Sequence, residues 1–140
     1  MTADEVITEL GLAPHPEGGW YRQTWAASDG PRPSGTCIYL LLTAGERSHW
    51  HRVDATEIWH FYAGAPLVLR LAANDKGPAV PHMLGPDLQA GQVPQVIVPT
   101  NYWQSAESTH SWSLVGCTVS PGFSFDGFEL AAPEFEIPSS

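Results

Sequence analysis

The stretch SHWHRVDATEIWHF, Ser48–Phe61, decides how this chain is read. It packs three of the chain's six histidines, two acids and two tryptophans into one short run. His49 and His51 are separated by a single residue. On a helix, side chains two apart diverge. On a strand they share a face, so a β reading lets both imidazoles serve one site. Trp50 then points to the opposite side, into a sheet packing or a subunit contact. If RVDATE is the turn, Glu57 opens the next strand opposite the histidine pair and adds a carboxylate. Two imidazoles and a carboxylate suit Fe(II), Mn(II), Ni(II) or Zn(II). A histidine among aromatics is also the ordinary inhabitant of a core or surface, and His60, His15, His82 and His110 are read that way.

The surroundings favour β structure throughout. Glycine and proline number 13 each in 140 residues, and they punctuate about ten short apolar or aromatic runs, the pattern of a jelly roll or barrel. TCIYLLLTAG is apolar on both faces, so a second sheet or another subunit has to cover it. Gly30–Gly35 has the composition of a mobile loop. One helix opens the chain: Thr2 caps it, Glu5 completes a capping box, and Gly11 ends it. The C-terminal PEFEIPSS reads as a tail that either lies on the surface or frays.

Composition narrows the partners. The chain is 43% hydrophobic and 15% charged, with six Lys+Arg against fifteen Asp+Glu and a net charge of −9. This is globular rather than disordered, and no basic run exists for nucleic acid or an anionic membrane. Cys37–Leu42, the longest apolar run, is too short to span a bilayer. Met1 leads into polar and acidic residues rather than a basic and then apolar leader, which predicts a cytoplasmic protein. Cys37 and Cys117 read as free thiols. No P-loop, G-x-S-x-G, G-x-G-x-x-G or CxxC is present.

Two segments resemble the cupin motifs. GERSHWHRVDATEIWHFYAG carries Gly45, His49-x-His51, an acid and Gly64. GQVPQVIVPTNYWQ carries Gly91, Pro99 and, at the usual histidine position, Gln104. With LGLAPHPEGGWYRQTW and VGCTVSPGFSFDGFELA beside them, the chain resembles the DUF985 or Cupin_5 family of small cupins from Leu10 to about Ala131. The resemblance implies an all-β double-stranded β-helix with one short N-terminal helix, residues 1–140 forming one domain, a homodimer, and a small-molecule pocket in the barrel mouth. It implies a metal held by His49, His51, Glu57 and Gln104. Two departures keep metal-bound and metal-free readings equally open: Gln104 replaces histidine, and five residues separate His51 from Glu57 where three or four are usual. Asn101 stands where the motif-two turn commonly has glycine, and asparagine tolerates positive φ.

Strand parity assigns the pocket wall. Trp59 and Phe61 face as Glu57 does, Tyr102 faces as Gln104 does, and Tyr39 joins them. Glu57 or His51 is the expected catalytic base, with Trp59, Phe61, Tyr39, Tyr102 and Gln104 binding substrate. The function read from this is an enzyme on a small polar metabolite, of isomerase or epimerase, lyase or dioxygenase type. The alternative is a non-catalytic sugar or metabolite binder.

Overall fold

A computed structural model describes residues 1–140. Eleven strands follow one helix. In chain order they are α1 (Ala3–Leu10), β1 (Ala13–Pro14), β2 (Trp20–Ala26), β3 (Thr36–Thr43), β4 (Arg47–Val53), β5 (Thr56–Gly64), β6 (Leu67–Ala72), β7 (Val80–Leu84), β8 (Gln95–Val98), β9 (Trp103–Ser108), β10 (Trp112–Ser120) and β11 (Phe128–Leu130). They pair antiparallel into two sheets, β1-β2-β3-β10-β5-β8 and β11-β4-β9-β6-β7. Sequential neighbours such as β3 and β4 lie in different sheets, which is jelly-roll winding.

Alternating inward residues of both sheets form the main core: Leu40, Leu42, Trp59, Leu67, Leu69 and Val115 are fully buried in it. The N-terminal helix has the expected caps. Thr2 and Glu5 close the box, and Gly11 adopts φ 65°. Its Val6 packs with Leu12 on Leu41, whose side chain leaves β3 on the outer face. The two-sided apolar strand is thus covered by the second sheet inside and by α1 outside.

The C-terminal segment does not fray. Ile137 is buried with Trp50, Ala72, Ala79 and Trp103, and Phe135 packs against that cluster. Ala79 N–H donates to Pro138 O at 2.8 Å, and Trp50 Nε1–H donates to Glu136 at 3.4 Å. Trp50 does face outward, as parity predicts, but its own chain covers it. Gly30–Gly35 is tied down as well. Arg32 Nε donates to Gly122 O at 2.8 Å, and its guanidinium forks onto Asp54 at 2.6 and 3.0 Å. Asn101 takes φ 65°, the left-handed turn its side chain tolerates. No helix is long and apolar enough to cross a membrane.

Candidate functional site

The site sits at one mouth of the barrel, between the two sheets. A cavity of about 180 Å³ opens there, with Glu17, His51, Glu57 and Cys117 among the residues lining it. Phe123, Phe125 and Phe128 roof it edge to face, with ring centroids 4.9–6.0 Å apart. Phe128 also lies 5.6 Å from the His51 ring.

Glu57 enters from β5 at a position buried by parity with Trp59. A buried chain of hydrogen bonds fixes its carboxylate. Trp59 Nε1–H donates to Gln104 Oε1 at 2.8 Å, and Gln104 Nε2 donates to Glu57 Oε1 at 2.8 Å. The indole is a donor only, so it fixes which end of the Gln104 amide faces the carboxylate. Burial raises the Glu57 pKa to about 7; Glu17 adds to the rise, while His51, Gln104 and Cys117 oppose it.

His51 enters from β4 and is 3% exposed. Its Nδ1–H donates to His49 O at 2.8 Å, and its Nε2 lies 2.7 Å from Glu17 Oε2. A carbonyl only accepts and a carboxylate prefers to, so both ring nitrogens carry protons. Burial pulls the His51 pKa down, but Glu17, aided by Glu57 and the His49 carbonyl, overcomes it and holds the value at about 9. Burial pushes Glu17 up, and His51 with His15 outweighs this, keeping Glu17 below the usual carboxylate range. The pair is an imidazolium–carboxylate couple buried inside the barrel mouth.

Glu17 reaches the site from the loop His15–Gly19. Gly18 and Gly19 adopt φ 106° and 88°. An added Cβ on Gly18 would collide with the Arg47 carbonyl, and one on Gly19 would stand 2.9 Å from Leu41 O. Only glycine lets this loop lie flat on β3 and β4. The Glu17 carbonyl accepts His49 N–H at 2.8 Å, and His15 Nδ1 accepts Glu17 N–H at 3.1 Å. Burial lowers the His15 pKa, Glu17 opposes, and His51 lowers it further. His15 is therefore neutral with its proton on Nε2. Cys117, also on the wall, is pushed well above the ordinary thiol value by burial and by the acids beside it. It stays a thiol at neutral pH.

Several expected positions differ. A bulge in β4 between Ser48 and His51 breaks the alternation on which the His49/His51 pair rests. His49 turns outward, its Nε2–H donating to Ala132 O at 2.8 Å. Gln104 spends its carbonyl on Trp59. The four-residue metal set thus does not converge: His49 is outside, both nitrogens of His51 are engaged, and Gln104 presents a donor. No group of three or more His, Cys, Asp or Glu is placed to hold an ion. Trp59 is fully buried in the main core and does not line the cavity. Phe61 and Tyr102 pack against the main core, and neither reaches the cavity. Tyr102 instead lines a surface groove beside Leu71 and Ile97. Tyr39 leaves β3 on the outer face, 6.2 Å from Tyr62. Cys37 and Cys117 are free.

Sequence reasoning did not single out Glu17. The signal was present in the paired glycines after it, a demand for positive φ next to an acid.

This fold is matched elsewhere. Residues 4–131 match Cupin_5, described as the cupin superfamily, DUF985. The chain belongs to the Cupin_5 family. The solved structure of SO0799 from Shewanella oneidensis is 41% identical, with a TM-score of 0.89 over 94% of this chain and 85% of that one. A hypothetical protein from Leishmania major is 31% identical, with a TM-score of 0.84 over 94% and 88%. Oxalate decarboxylase from Bacillus subtilis, a variant form, is 13% identical with a TM-score of 0.65 over 84% of this chain and 29% of that one. That likeness shows the fold alone. No curated protein matches this Cupin_5 chain.

Proposed function

We propose that this cupin is an enzyme that moves a proton on a small polar metabolite, of isomerase or epimerase type, with Glu57 as general acid–base. One observation carries the reading. A carboxyl group is buried in a largely apolar cavity, fixed at one oxygen by Gln104, and poised to titrate near pH 7. A catalytic pKa near the working pH gives both protonation states in quantity. A purely structural position would be served by an apolar side chain, since burying a carboxyl is costly.

In this mechanism the ionised Glu57 takes a proton from a carbon beside a carbonyl. The C–H electron pair moves into the carbonyl, leaving an enolate oxygen. The His15 Nε2–H and the Tyr21 hydroxyl, both on the cavity wall, supply donors to that oxygen. Glu57 then returns the proton on the same side to the neighbouring carbon, or to the original carbon once the planar enolate has turned over in the cavity, which inverts that centre. The imidazolium of His51 has both N–H groups engaged, so it acts as a fixed positive charge rather than as a donor.

The test is proton exchange in D₂O. A panel of small aldoses, ketones and lactones is followed by NMR for loss of C–H signal with wild type and with Glu57→Gln. The reading expects exchange that drops by about 10²-fold or more in the variant, the usual contribution of a positioned acid–base. Equal exchange by both proteins would remove Glu57 from the chemistry.

A further inference from the structure

We propose that the cavity selects an uncharged ligand, a small neutral carbonyl or hydroxyl compound with one polar edge and one apolar face. This rests on the reading of the cavity as a substrate site and names the class of substrate.

The first observation is where the positive charges are. The chain has six Lys and Arg, and none lines the cavity. Arg22 donates to Leu10 O, and Arg32 is forked onto Asp54. Arg47, Arg52 and Arg70 pair with Glu136, Glu129 and Glu107. Lys76 is exposed in the turn between β6 and β7. An incoming carboxylate or phosphate finds no guanidinium or ammonium to meet it.

The second is that the one fixed cation on the wall is already spent. His51 gives one N–H to Glu17 and the other to a backbone carbonyl. Its charge cancels that of Glu17. With His15 neutral, the wall carries either no net charge or the single negative charge of Glu57. An anion entering it loses its water and gains no partner. A cation is compatible with ionised Glu57, but it would hold that carboxylate in the ionised form and blunt it as a base. A neutral ligand leaves the group free to cycle.

The third is the division of the walls. Phe123, Phe125 and Phe128 give one apolar side, while Glu57, His15 and Tyr21 give donors and acceptors. The volume of about 180 Å³ equals roughly six waters at about 30 Å³ each.

Benzamide, benzoate and benzylamine share a size and an apolar face and differ in charge. Each is titrated into labelled protein at pH 6 and 8, with the backbone amides of Thr36, Val119 and Phe128 followed by NMR. Benzamide is expected to shift these amides at concentrations about tenfold below benzoate at both pH values, and about tenfold below benzylamine at pH 6, where Glu57 is mostly protonated and the ammonium must be desolvated unpaired. Benzoate binding as tightly as benzamide at either pH, or benzylamine doing so at pH 6, overturns the proposal, as does failure of benzamide to shift these amides. Neutral-selective binding together with exchange independent of Glu57 would sink the acid–base reading and leave this one standing. Benzoate binding together with Glu57-dependent exchange would do the opposite.

Discussion

His51 Nε2 and Glu17 Oε2 lie 2.7 Å apart, joining a strand of one sheet to a glycine-bent loop that sequence patterning leaves unread. Both side chains are almost wholly buried. Removing one partner of such a pair strands the other charge, at a cost of about 3–5 kcal/mol. Glu17→Gln should therefore be strongly destabilised in urea. Its His51 should titrate well below about 9, because burial, which lowers the pKa, is then opposed only by Glu57 and the His49 carbonyl. A His51 NMR midpoint unchanged in this variant would contradict the pairing.

Stability should fall as pH rises from about 5 to 9. His51 has its pKa raised from 6.5 to about 9. Its contribution is complete below 6.5 and is lost as pH climbs through about 9. Glu57 is raised from 4.5 to about 7, so the folded state holds a proton that the unfolded chain has released, and this advantage disappears by about pH 7. In both windows the folded state binds more protons, which makes stability decrease with pH. Glu17, lowered, acts in the other direction and loses its contribution only as pH falls below the carboxylate range. Thermal melts across this range should show a maximum near pH 5. In Glu57→Gln the decline between about 4.5 and 7 should disappear and the later decline remain. At pH 8 that variant should melt at or above wild type. A melting curve flat from pH 5 to 9 in wild type would refute both assignments.

The Trp59–Gln104–Glu57 chain predicts an asymmetry. Gln104→Leu leaves the buried indole N–H without an acceptor, costing about 1–3 kcal/mol. It also takes the donor from Glu57, whose midpoint should move above about 7. Adding Trp59→Phe removes the orphaned donor, so the double variant should recover part of the loss. Denaturation of wild type, both single variants and the double variant measures this, and additive destabilisation would show that the chain is not coupled.

Two glycines with positive φ separate backbone strain from the site. Gly45, φ 76°, has nothing within 4 Å of an added Cβ, so Gly45→Ala should cost only the left-handed penalty of about 1–2 kcal/mol. Gly18, φ 106°, faces the Arg47 carbonyl, so Gly18→Ala must shift the loop that carries Glu17. The His51 midpoint should drop in the second variant and stay in place in the first. Equal midpoints would mean that the loop does not position Glu17.

The sequence made the local features legible and hid the non-local ones. The Thr2 capping box and Gly11 cap are read from neighbouring residues, and the helix forms as they dictate. Asn101 could be placed in a left-handed turn because the motif demands one. Glu57 could be turned inward because alternation holds along β5. Alternation fails in β4, where one extra residue turns His49 out. It is also silent in β3, where both faces are apolar and Leu41 and Tyr39, not Leu40 and Leu42, face outward. Glu17 lies in a loop without periodicity. The cover over Trp50 comes from residues 135–137, far along the chain. The two sequence features that suggested a second subunit, the apolar strand and outward Trp50, are met by α1 and by this tail.

The most direct test of the account is the titration of the Glu57 carboxyl carbon, followed by ¹³C NMR in selectively labelled protein and assigned by its loss in Glu57→Gln. A midpoint near 7 is expected. A midpoint in the ordinary glutamate range, near 4.3, would show a solvated carboxylate and would remove the acid–base reading of this site.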